Sequence, residues 1–223
     1  MTKTPQPLAF EVWHVQLARA IFAGIAAAMI TFSPDHSAEV GLAVFSGFAI
    51  ATGIVHLVSV WLVYPARRRW PAVVLGVFAM LAGMISGLPP LRTTTLFFVI
   101  VIVWALASGL VETIAGWRAL RAAKRGETEL GPAVQARDAL IVGIVTFVLG
   151  IVLLFVRPEY SLDYTIDQAG ETFTLTGIIL AVGIFGGYAA IVAVYLAIAG
   201  FSPRKAQPAA PRQVAAPDDG EPA

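Results

Sequence analysis

Between residues 15 and 201 long apolar runs alternate with short polar breaks. Six runs stand out, at about 15–32, 39–64, 70–86, 93–117, 138–156 and 176–201. Each approaches the roughly 20 residues that a helix needs to cross a hydrocarbon core. None shows sustained period-2 alternation, and lipid leaves no water to satisfy an open sheet edge, so strands are disfavoured for these runs. The pattern predicts an all-α membrane protein, a bundle of six transmembrane helices.

One break differs from the rest. In 159–176, "EYSLDYTIDQAGETFTLT", Leu162, Tyr164 and Ile166 alternate with Asp163, Thr165 and Asp167. Beyond Gln168-Ala169-Gly170, Phe173 and Leu175 alternate with Thr172, Thr174 and Thr176. Alternation with β-branched and aromatic residues around a glycine-containing turn predicts a β-hairpin between the fifth and sixth helices. A two-residue turn at Gln168-Ala169 pairs Tyr164 with Phe173. A three-residue turn with Gly170 left-handed puts those rings on opposite faces. A helix is the competing form, because Glu159, Asp163, Asp167 and Glu171 recur every fourth residue, but stacked like charges disfavour it.

Composition agrees with the pattern. Of 223 residues, 58% are hydrophobic and 13% charged, against about 45–50% and about 25% in a soluble domain. The partner of most of this surface is therefore the lipid bilayer. There is no cysteine, which excludes disulfides, thiolate nucleophiles and Cys-based metal sites. No nucleotide loop, Ser-His-Asp order or HExxH is present, so the chain reads as non-enzymatic, with no cofactor and no nucleic-acid partner. The first run, with no A-x-A site after it, reads as a retained span.

Charge sets the orientation. Lys3, Arg19, Arg67–Arg69, Arg118, Arg121, Lys124, Arg125, Arg137 and the tail residues Arg204, Lys205 and Arg212 all fall on one side of the six spans. Only Arg92 and Arg157 fall on the other. The positive-inside rule places the basic side, and both termini, in the cytoplasm. Trp13, Trp70 and Trp117 lie at that interface. The expected organisation is a cytoplasmic segment 1–12, a membrane domain 13–203 and a disordered Pro/Ala-rich cytoplasmic tail 204–223.

The spans pair into three parallel hairpins, about 13–64, 70–117 and 138–201. Each outer turn carries a proline: Pro34, Pro89 and Pro158. "FAIATGIVHLV" aligns with "VWALASGLVETI", setting Gly53 against Gly109 and His56 against Glu112, and "GIFGGYAAIVA" is a looser third copy. Gly76 and Gly83 share their spacing with Gly143 and Gly150. Such units bury their faces only by stacking on neighbours. With Trp13 and Trp70 opening first helices, Gly-rich hairpins ending in proline, and "GLVETIAGWRALR" from Gly109 to Arg121, the chain resembles the HdeD-like acid-resistance membrane proteins over about residues 13–201. The resemblance implies a bacterial inner-membrane protein linked to acid or envelope stress, of no established activity. The long segment 159–176 departs from that family's short outer turns.

The candidate chemistry is sparse. His56 and Glu112 are ionisable residues inside spans, a functional-site hypothesis by default. Both lie about 10 Å inside the cytoplasmic end at 1.5 Å per residue. One reading has them face each other and share a proton on the path of a small-solute or proton transporter. The plainer one is a local bond, such as Glu112 to Ser108, or snorkelling to the interface. Glu159, Asp163, Asp167 and Glu171 form a candidate extracytoplasmic acidic cap, either a cation or proton sensor, the docking site of a scaffold, or a solvated loop. His36 with Asp35 and Glu39 has the residue types of a weak metal site, but three such residues in one loop are more often plain solvation of a polar turn. Small-residue spacings, Gly183-x3-Gly187, Ala79-x3-Gly83 and Gly47-x5-Gly53, suit packing within one bundle or a homo-oligomer.

Overall fold

A computed structural model describes residues 10–127, 132–166 and 171–202. Among these residues there are six α-helices: α1 (Val12–Phe32), α2 (Ala38–Leu62), α3 (Arg69–Gly87), α4 (Thr94–Lys124), α5 (Ala133–Phe155) and α6 (Gly177–Phe201). All six are long and apolar enough to cross a membrane, and the chain is a multi-pass membrane protein. The tail 204–223 and the turn with Asp167 lie outside the described residues.

Local signals set the helix ends. Ser37, Thr93 and Thr176 cap α2, α4 and α6 by accepting from the amides of Val40, Leu96 and Ile179, the role their short hydroxyls suit. Two helices overrun their apolar runs. α4 continues to Lys124 through "RALRAAK", where Arg121 lies over the Trp117 ring at 3.7 Å, one turn along. α5 starts at Ala133, five residues before the expected start, and this draws Asp138 into the helix and buries it.

Packing alternates around the bundle. The most intimate contacts join α4 with α5, α2 with α3 and α1 with α6; the pairs α1–α2, α3–α4 and α5–α6 touch less. Contact of α1 with α6 closes a ring. The close pairs rest on small residues. A Cβ on Gly109 would fall 2.7 Å from the Phe147 Cα, and one on Gly53 3.1 Å from the Gly76 carbonyl oxygen. Gly183, Gly187 and Gly47 have nothing within 4 Å of such a Cβ. The spacings that include them therefore do not serve packing inside the bundle at those positions, whereas Ala79 and Gly83 do.

One register of buried positions recurs. In α2, Phe45, Phe48, Ala49, Thr52 and His56 are buried; in α4, Val101, Trp104, Ala105, Ser108 and Glu112; in α6, Phe185, Tyr188, Ala189, Val192 and Leu196. Among first helices, Gln16, Ala20, Ala23, Ala27 and Ile30 of α1 share their spacing with Ala72, Gly76, Ala79, Gly83 and Ser86 of α3. The even helices meet through aromatic rings: Phe45 and Phe48 sit edge-on to Trp104 and to Phe185, and Trp104 edge-on to Tyr188. Edge-to-face is the favoured arrangement of such rings. Exposed Ile, Val, Leu and Phe cover the outside of the helices, a surface suited to lipid.

The polar segment is the expected antiparallel hairpin, β1 (Ser161–Ile166) and β2 (Glu171–Thr176). Its register pairs Tyr164 with Phe173, as in the two-residue-turn alternative, and the helical alternative is not adopted. β2 runs directly into α6, and the Gly177 amide donates to the Tyr160 carbonyl at 2.8 Å. Leu162 and Tyr164 are exposed.

Candidate functional site

α1, α3 and α5 begin, and α2, α4 and α6 end, at the arginine-rich end of the bundle. There the central axis turns polar. Arg19, seven residues into α1, reaches across to Glu112 of α4. Its Nη1 donates to Oε1 at 2.7 Å and its Nη2 to Oε2 at 3.2 Å. The side chains are 14% and 8% exposed. This two-pronged fork is the strongest pairing that a carboxylate makes with a side chain. Little solvent reaches it, so either charge left alone would be costly.

His56 is buried on α2 and lines the same cavities as Arg19 and Glu112. The two candidate residues are thus brought to one place, but both carboxylate oxygens of Glu112 are held by Arg19. Nor does Glu112 bond to Ser108: the Ser108 hydroxyl has no partner among the described residues. In the sequence Arg19 stands out only as one of the basic residues that orient the chain. Its position one turn beyond Val15, inside an apolar run, was the available signal that it is an intramembrane group.

A second buried carboxylate lies nearby. Asp138 accepts from Gln16 Nε2 at 2.9 Å and from the Tyr195 hydroxyl at 3.0 Å, tying α1, α5 and α6. Deeper in, Thr146 Oγ1 donates to the Val142 carbonyl at 2.8 Å, so Tyr188 donates in its 2.9 Å bond to Thr146. Thr52 Oγ1 and Trp104 Nε1 join Ser108 as buried polar atoms without a partner among the described residues.

Two spaces meet at the ion pair. A cavity of ≈ 400 Å³ opens at the arginine-rich end, with Arg67, Arg68 and Arg118 at its rim and Arg19, His56 and Glu112 at its floor. Beyond that floor a space of ≈ 20 Å³ is lined by Thr52, Trp104, Ser108 and Tyr188. At the rim Arg68 donates to Gln135 Oε1 at 3.3 Å and lies over the Tyr64 ring. Toward the β-hairpin the axis is closed by Phe45, Phe97, Phe185 and Leu42, all fully buried.

The other candidates are not drawn into this site. Glu159 is exposed, Asp163 accepts from Thr174 Oγ1 at 2.6 Å, and Glu171 pairs through its backbone with Ile166. Asp35 accepts from the amide and hydroxyl of Ser37, which makes that turn a helix entry. His14 Nδ1 accepts from the Glu11 amide and the ring stacks on Trp13. Among the described residues no three His, Asp or Glu side chains gather as a metal site. No family model, curated protein or solved structure matches the chain.

Proposed function

We propose that this protein is a non-enzymatic carrier or channel for a small polar solute or proton, with the Arg19–Glu112–His56 cluster on its path. One observation carries the reading. Polar groups of α1 (Gln16, Arg19), α2 (Thr52, His56), α4 (Ser108, Glu112), α5 (Asp138, Thr146) and α6 (Tyr188, Tyr195) gather at one end of the axis. A transport path needs such a lining from several helices. Buried ionisable groups in a span are expensive, and substrate or proton paths are among the functions that retain them.

The charge distribution supports a cytoplasmic location for the arginine-rich end and both termini. The cavity then opens inward, and the aromatic layer closes the other side. The recurring register of buried positions supports three hairpin repeats. The bacterial inner membrane, and a role in acid or envelope stress, are the setting we propose from the HdeD-like resemblance.

The experiment is proton flux into proteoliposomes under an imposed pH gradient. The wild-type chain is expected to exceed empty liposomes, and Glu112→Gln and His56→Ala to reduce the excess. Wild-type flux equal to empty liposomes contradicts the proton version. A deletion strain tested for survival at low pH, complemented by the same variants, tests the setting.

A further inference from the structure

We propose that the ≈ 400 Å³ cavity binds an organic anion through a phosphate or carboxylate group. The inference deepens the transport reading and rests on its claim that solute enters this cavity.

Four guanidinium groups, Arg19, Arg67, Arg68 and Arg118, border the space against two carboxylates, Glu112 and Asp138. Glu112 is already matched by Arg19, and Asp138 is held by the neutral donors Gln16 and Tyr195. The remaining field is positive. Backbone dipoles add to it. α1, α3 and α5 all begin here, and Val12, Val15, Trp70, Ala72 and Ala136 of their first turns line the wall. The Glu11 carboxylate caps α1 and offsets its positive end, whereas the caps and first turns of α3 and α5 carry no acidic residue, so those two ends remain positive. Walls of one sign of charge around a concave space focus such a field.

The cationic side chains at this wall are all arginine. The planar fork suits carboxylate and phosphate oxygens in a way that an ammonium does not. Size and apolar lining then select among anions. The cavity falls within the roughly 300–1,000 Å³ typical of small-molecule sites, far larger than a halide requires. Leu75, Val142 and Leu196 supply an apolar wall near the floor for the carbon part of the ligand. An anion that reaches the floor competes with Glu112 for the Arg19 fork, which ties binding to the buried pair.

Two sources supply this chemistry, a cytoplasmic solute or the headgroup of an anionic lipid, since basic pockets between helices take both. The test uses the full chain in phosphatidylcholine nanodiscs, titrated with inorganic phosphate and with propionate against chloride at equal ionic strength, with Tm as the readout. Phosphate or propionate is expected to raise Tm saturably where chloride does not. The double variant Arg68→Gln/Arg118→Gln should weaken that binding about tenfold, as expected for losing charge-assisted contacts. Glu112→Gln, which frees the Arg19 fork, should tighten it. Saturable stabilisation seen only with phosphatidylglycerol in the disc, and lost in the same arginine variant, identifies the headgroup as the source and upholds the anion class. Equal responses to chloride and phosphate, or an effect indifferent to the arginines, overturns the proposal.

A cysteine at Ala119 in the same chain separates the two claims. Reaction with a water-soluble maleimide without anion binding leaves the cavity reading standing and removes the anion. No reaction removes both.

Discussion

Toward the β-hairpin, α2, α4 and α6 meet through Phe45, Val101 and Phe185, all fully buried, with the Phe45 ring edge-on to Phe185. Three turns along, the same helices present His56, Glu112 and Leu196 and part around a cavity. Spacing and helices are shared, so the difference lies in side chains alone. In lipid, apolar contact brings little hydrophobic gain, and helices associate through close packing and interhelical hydrogen bonds. Along the axis, ring packing dominates the hairpin half and side-chain hydrogen bonds the arginine-rich half, while close approaches at glycine occur in both, at Gly83 and at Gly116. A bundle sealed at one end by interlocking rings can keep a polar, partly open other end without falling apart.

Removing one member of each device should cost heavily and be rescued differently. Glu112→Ala or Arg19→Ala strands a buried charge and should cost about 3–5 kcal/mol, read by denaturant unfolding in detergent micelles. The double variant Arg19→Leu/Glu112→Leu should recover most of that loss, because the pair and not the polarity is what must be kept. Phe185→Ala should cost about 3 kcal/mol, the low end for losing a large ring, since lipid already solvates the ring in an unpacked span. No second apolar change of similar volume should restore it as fully. Failure of the leucine pair to rescue would show that the charges also hold the helices apart.

Small residues sharpen the contrast next. Gly109→Ala forces a methyl against the Phe147 backbone and should cost about 1–3 kcal/mol of overpacking. Gly183→Ala, where nothing lies within 4 Å, should stay within about 0.5 kcal/mol. A large loss at Gly183 would place a second chain against α6. The smallest effect belongs to the hairpin. Thr174→Ala removes the bond to Asp163, and because both groups are exposed the loss should be about 0.5 kcal/mol.

The helices and the hairpin were legible because apolar runs and period-2 alternation are local. What failed to show was also physical. α4 and α5 overrun their apolar runs because helix formation continues through Arg, Ala and Lys, which hydropathy counts as an end. The extra turns of α5 turned Asp138 from a boundary residue into a buried one. His56 and Glu112 were visible as charges in apolar runs, and their shared cavity agrees with their equivalent positions. The Arg19–Glu112 pair joins residues 93 apart in sequence. It depends on α1 and α4 facing one axis, which no local pattern reports. The same holds for the order of packing: α1 lies closest to α6, its most distant helix along the chain.

The contrast between a hollow end and a sealed one is tested most directly on α4, which passes through both. The chain has no cysteine, so single cysteines at Ala115, which lines the cavity, and at Ala105, fully buried among the rings, can be probed without background. A water-soluble maleimide applied to each face of sealed vesicles should modify position 115 from the arginine-rich face only, and position 105 from neither. Modification of 105 from either face, or of 115 from the hairpin face, would contradict a polar cavity closed by an aromatic layer.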